Sequence, residues 1–207
     1  MVNRGVASVY ALDAMGHGLN ASVISALGVT AMRNARRAGL GLVERFAAAN
    51  DAIHRQFGCM SKTVVPFATA AALEVDITTG KAVALSAGTR GRTGCARAGP
   101  ARSSWPPSSR SGCSPTPPTP LSTCSCCPGD RLVLVSDGVL GAVPDGGEHF
   151  GEARLEAALL ATRAKPPHEA VRHLVGALLD YQQGDLRDDA TILLFEWHGA
   201  RQDGSAV

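Results

Sequence analysis

Four carboxylates stand where an apolar run meets a break. Asp13 closes "VASVYAL" and opens onto "AMGHG", Asp137 follows "RLVLVS" and precedes Gly138, and Asp188 and Asp189 directly precede "ATILLFEW". An aspartate before a glycine at a strand end is common turn chemistry. A pair of aspartates ahead of a strand is equally at home in water. For each site alone, that is the commoner explanation. Together they suggest more. If neighbouring strands carry them to one edge of a core, the carboxylates repel, and all stay ionised only with a cation among them. Oxygen donors suit Mg²⁺ or Mn²⁺ rather than a thiolate-seeking metal. Two such ions about 4 Å apart can share a water, lower its pKa and aim it at phosphorus. The neighbouring glycines let a backbone carbonyl or a phosphate approach closely.

The elements that position these residues follow from periodicity. Residues 6–12 predict a short strand. A helix over 20–37 places Ile24, Leu27, Gly28, Ala31 and Ala35 on one face with Met32 beside them, and Asn20 is its expected cap. A second helix over 42–57 carries the stripe Leu42, Phe46, Ala49, Ile53 and Phe57, with Gly58 as a stop. Strands over 67–76 and 81–87 flank "ITTG", a hairpin turn. "PGDRLVLVSDG" (128–138) reads as a turn and a buried strand. Helices follow over 152–163 and 167–182, the latter with Ala170, Leu174, Leu178 and Tyr181 on one face, and then a strand over 190–197. This order has no βαβ alternation, so it favours an α+β class with antiparallel sheet layered against helices.

Composition bounds the function. The chain has 207 residues, 45% apolar but only 4% aromatic, so Ala, Val and Leu must fill its core. No run approaches the roughly 18 apolar residues of a membrane span. No signal-peptide core opens the chain, and a cytoplasmic location is expected. A net charge of +2 argues against a dedicated nucleic-acid binder. One interval differs from the rest. From Ile77 to Gly129 there is no acidic residue but six cations: Lys81, Arg90, Arg92, Arg97, Arg102 and Arg110. Seven of the twelve prolines lie from Pro100 to Pro120, and five of the six cysteines from Cys95 to Cys127. Residues 88–127 show no period of either kind and are expected to be irregular. Cys124 and Cys127 form a lone C-x₂-C with no second pair at zinc spacing, so no structural zinc is expected.

The stretches "DAMGHGLNA", "FATAAALEVDITTGKAVALSAG", "PGDRLVLVSDGV", "FGEARL" and "DDATILL" occur together, in this order. In this combination the chain resembles the SpoIIE/RsbU-like branch of the metal-dependent PPM serine/threonine protein phosphatases, over most of residues 6–87 and 128–197. The resemblance implies an αββα sandwich of two antiparallel sheets flanked by helices, in one domain spanning residues 1–198 with a disordered tail at 199–207. It implies two Mn²⁺ or Mg²⁺ ions. Asp13 would bridge them, the Ala14 carbonyl would bind one, and Asp137 and Asp188 would hold the other, so that these three aspartates act through metal-activated water. Gly16, His17, Gly138 and Asp189 would support the ligands from behind, His17 by packing rather than by catalysis. The implied partner is a phosphorylated protein, in this branch often a STAS-domain anti-sigma-factor antagonist in a bacterial regulatory pathway, with homodimerisation left open and no nucleic acid or membrane.

Two departures from the family pattern matter. The family's preceding strand, with its "G-G-D-x-Y-D"-like motif, has no counterpart in "MVNRGVASVY". The sandwich is therefore expected to lack an N-terminal strand, and metal affinity to be weaker. Residues 88–127 also keep the family's length with foreign content, as compensating frameshifts or a genuine insertion would give. The alternative to an enzyme is a degenerate phosphatase-like module, or a gene fragment, that only binds a partner.

Overall fold

The computed structural model describes residues 2–3, 5–16, 18–57, 68–87, 92–96 and 122–200. Its elements, in chain order, are β1 (Val2–Asn3), β2 (Val6–Ala14), α1 (Leu19–Arg37), α2 (Leu42–Phe57), β3 (Ala68–Asp76), β4 (Lys81–Ala87), β5 (Arg92–Ala96), β6 (Ser122–Ser125), β7 (Arg131–Val135), α3 (Asp137–Leu140), α4 (Gly151–Ala161), α5 (Pro167–Tyr181) and β8 (Ile192–Glu196). A five-stranded sheet runs β1-β2-β3-β4-β6, and a three-stranded sheet runs β5-β7-β8. Every strand pair is antiparallel.

Strand alternation sorts the core into layers. Successive strand residues point to opposite faces. Ala71, Leu73 and Val75 of β3 meet Leu132 and Leu134 of β7, with Leu193 and Phe195 of β8, between the two sheets. Ala70 and Ala72, of opposite parity, pack with Met32 of α1 and with Leu42, Phe46 and Ala49 of α2. On the far side, Val133, Val135, Ile192 and Leu194 pack with Leu155 and Leu159 of α4 and Leu174 and Leu178 of α5. The result is helix, sheet, sheet, helix: the expected αββα sandwich. All five residues of β7 are buried because both its faces are covered.

Small residues make close layers practicable. Gly28 of α1 is buried, and a Cβ there would stand 2.7 Å from Cδ1 of Leu12. Two arginines tie the helical layers to the sheets. Arg45 of α2 pairs with Glu74 of β3, which also accepts a hydrogen bond from Ser8 at 2.6 Å, and Arg45 donates to the Tyr10 hydroxyl at 2.7 Å. Arg131 of β7 pairs with Glu196 of β8 at 2.8 Å and donates to the carbonyls of Thr162 and Lys165 between α4 and α5.

Several expectations are met closely, and others are corrected. The second helix has its predicted ends, and β4 its predicted span. Asn20 lies inside α1, whose N-cap is Gly18. The strand expected up to residue 138 ends at Val135, and α3 follows it. The interval 88–127, expected to be irregular, supplies β5 and β6, which pair with β7 and β4. Main-chain hydrogen bonding to an existing strand edge does not require an alternating apolar pattern. Residues 97–121, and the tail from 201 to 207, lie outside the described residues. The edge beside β2, where an N-terminal strand was expected to be lacking, carries the two-residue β1.

Candidate functional site

Asp13 and Ala14 are the last two residues of β2, in register with Thr69 and Ala68 of β3. The strand thus runs through the aspartate rather than stopping before it. Beyond Ala14 the chain turns through Gly16 (φ 87°) and Gly18 (φ 78°) into α1. Both angles are left-handed, where a side chain is strained. That explains the glycine spacing around residue 17 in backbone terms. His17 itself lies outside the described residues.

Asp137 opens α3 directly after β7 and Ser136. Val139 and Leu140 of this single turn are sunk in the core with Phe150 and Leu155, which holds Asp137 at the end of the strand. Gly138 is buried, and an added Cβ there would meet the Asp189 carbonyl oxygen at 2.1 Å. The short helix and the loop ahead of β8 therefore touch backbone to backbone. Asp188 accepts a hydrogen bond from the Asp189 amide at 2.9 Å. The Ser136 hydroxyl accepts from the Thr191 amide at 2.9 Å and lies 3.4 Å from the Asp189 carbonyl. Ser136 was not singled out from the sequence. The available signal was a hydroxyl residue between the apolar run Leu132–Val135 and the aspartate.

Electrostatics tie the segments together. The Asp13 carboxyl is held above its usual range, first by desolvation and then by the charges of Asp137, Asp188 and Asp189. Carboxylates more than a hundred residues apart in the chain therefore share one field. Among the described residues, no three His, Cys, Asp or Glu side chains stand close enough together to hold a metal ion. The carboxylates converge without closing into a cluster. Mutual repulsion favours such spacing, and a divalent cation would relieve it. In donor type and in charge, the set fits a hard cation that prefers oxygen. Exposed apolar side chains border the same edge: Met15 is 38% exposed and Leu19 79%.

The comparisons with known proteins bear on the family and the fold. The profile of the family described as Stage II sporulation protein E (SpoIIE) matches residues 3–198. Among solved structures, the SiaA-PP2C domain of Pseudomonas aeruginosa is similar with a TM-score of 0.75 at 20% identity, over 93% of this chain and 80% of that one. The RsbU and RsbW domains of a Mycobacterium tuberculosis protein give a TM-score of 0.74 at 20% identity, over 95% of this chain and 53% of that one. The catalytic domain of the serine/threonine phosphatase PstP, solved with two manganese ions, gives 0.64 at 18% identity, over 94% of this chain and 91% of that one. No curated protein matches the sequence. No helix among the described residues is long and apolar enough to cross a membrane. With fold and profile in agreement, the chain belongs to the family described as Stage II sporulation protein E (SpoIIE).

Proposed function

We propose that this chain is a divalent-metal-dependent phosphatase that removes phosphate from phosphoserine or phosphothreonine in a protein. One observation carries the reading: Asp13 feels the charges of Asp137, Asp188 and Asp189. Membership of the SpoIIE family supports it, as does the pair of manganese ions in the similar PstP domain. Mn²⁺ or Mg²⁺, two ions in all, would be held by Asp13, the Ala14 carbonyl, Asp137 and Asp188. When bound, such ions lower the pKa of a shared water and offset phosphate charge.

The chain's own residues have separable tasks. Asp13, at the rigid end of a paired strand, fixes one side of the site. Asp137 is fixed by the burial of α3 behind it, and Asp188 by the loop resting on Gly138. No Ser or Cys nucleophile is required, because water attacks phosphorus in line and the serine or threonine oxygen leaves. The intended substrate is a phosphorylated STAS-type anti-sigma-factor antagonist in a bacterial regulatory pathway. That assignment rests on the family resemblance and on the RsbU domain among the similar structures.

The second reading, a phosphatase-like module that binds a partner without catalysis, is favoured by the open spacing of the acidic side chains. Hydrolysis of an aryl phosphate across a Mn²⁺ series separates the two. The enzyme reading expects Mn²⁺-dependent release that falls by about a hundredfold in Asp137→Asn, at or beyond the upper range for a group that orients a metal ligand. Equal rates in the two proteins contradict the site, and no release from either supports the binding module.

A further inference from the structure

We propose that Ser136 is a positioning residue that sets how far the Asp188–Asp189 loop stands from Asp137, and thereby sets divalent-cation affinity. The inference rests on the metal-dependent reading above. The last registered pair of β7 and β8 is Val135 with Ile192. One residue further, the Ser136 amide donates to the Thr191 carbonyl at 3.0 Å. The Thr191 amide then donates to the Ser136 side-chain oxygen at 2.9 Å, and not to a main-chain carbonyl. The same hydroxyl has its proton free to donate, and the Asp189 carbonyl lies 3.4 Å away. One side chain thus closes residues 189 and 191 onto the residue immediately before Asp137.

A second contact acts on the same carbonyl. The Asp189 carbonyl oxygen sits where a Cβ on Gly138 would be 2.1 Å from it, and the Asp189 carbonyl carbon would be 2.9 Å away. The loop therefore rests on bare backbone, drawn in by Ser136 and stopped by Gly138. Asp188 is coupled to Asp189 through the preceding peptide, whose Asp189 amide its carboxylate accepts at 2.9 Å. Moving the Asp189 peptide moves Asp188 relative to Asp137. Ser136 needs no contact with ion or substrate to exert this effect. Groups that orient metal ligands typically change affinity by about 10- to 100-fold when removed. An exposed hydroxyl with two bonds belongs at the low end.

The test is a calorimetric Mn²⁺ titration of the full chain, with Ser136→Ala, Ser136→Thr and Ser136→Val alongside, together with amide hydrogen exchange at Thr191. Threonine and valine share a shape and differ in the hydroxyl, so their comparison holds even if the alanine variant folds poorly. The expected result is about tenfold weaker Mn²⁺ binding in the alanine and valine variants, with affinity restored by threonine. Thr191 should exchange faster in the same two variants. Wild-type affinity in Ser136→Val overturns the inference. If the unsubstituted protein binds no Mn²⁺, the metal reading fails. The positioning role is then judged on exchange alone, and an unchanged Thr191 rate in Ser136→Val overturns it.

Discussion

At the scale of single residues, Asp13 carries the electrostatic load of the site. Burial and three neighbouring charges raise the Asp13 carboxyl above its ordinary range. A group with a raised pKa in the folded state favours its protonated form there. Its stabilising contribution is complete below the unfolded value and is lost as pH rises through the folded one. At neutral pH without metal, ionised Asp13 is therefore a liability. Asp13→Asn should melt slightly above the parent at pH 7 in the presence of a chelator, by a small margin because the side chain is exposed and screened by solvent. That gain should vanish near about pH 3, where the parent carboxyl is itself protonated. In excess Mn²⁺ the order should reverse, because only the parent gains binding free energy. Thermal melts under the three conditions check this, and a chelated Asp13→Asn that melts lower at pH 7 would contradict it. The aspartates and their glycines were legible in the sequence because strand ends and turns have local signatures. Ser136 was not, since its partners Asp189 and Thr191 are more than fifty positions away.

At the scale of elements, periodicity proved a good guide wherever an element has one buried face. Of the α2 stripe, Leu42, Phe46, Ala49 and Phe57 are buried and Ile53 is half-buried, and in α5 Ala170, Leu174 and Leu178 are buried and Tyr181 half-buried. Periodicity failed where backbone pairing alone decides. "RTGCA" and "STCS" have little apolar pattern, yet they become β5 and β6 by joining the edges of β7 and β4. The cap of α1 was misplaced for a related reason: Gly18 holds φ 78°, and no side chain caps that end. The β3–β4 hairpin was read correctly, and its turn is specified twice. Asp76 accepts the amides of Thr78 and Thr79 at 2.8 and 2.9 Å, and Gly80 takes φ 71°. A Cβ on Gly80 would lie 2.8 Å from the Trp197 ring and 2.9 Å from the Cys126 carbonyl. Gly80→Ala should therefore cost about 2 kcal/mol, from the strained backbone and the blocked approach together. Urea unfolding measures this, and a loss near zero would mean that the turn adapts freely.

At the scale of the whole molecule, the layers exist to bring distant chain segments to one edge. β2 delivers Asp13 from one sheet, and β7 and the loop before β8 deliver Asp137 and Asp188 from the other. The Arg131–Glu196 pair, with its bonds to the Thr162 and Lys165 carbonyls, locks the second sheet to its helices, so the delivery does not depend on side-chain packing alone. Element order and the absence of βαβ alternation made the layered architecture legible. The meeting of the carboxylates depends on sheet-to-sheet registration, which no local pattern encodes. Whether that meeting place holds metal decides what the chain can do. The most direct measurement is a crystal grown with Mn²⁺ and examined by anomalous scattering at the manganese edge. Anomalous peaks between Asp13, Asp137 and Asp188 are the predicted result. A well-ordered site without such peaks, or with manganese bound only elsewhere, would contradict the claim.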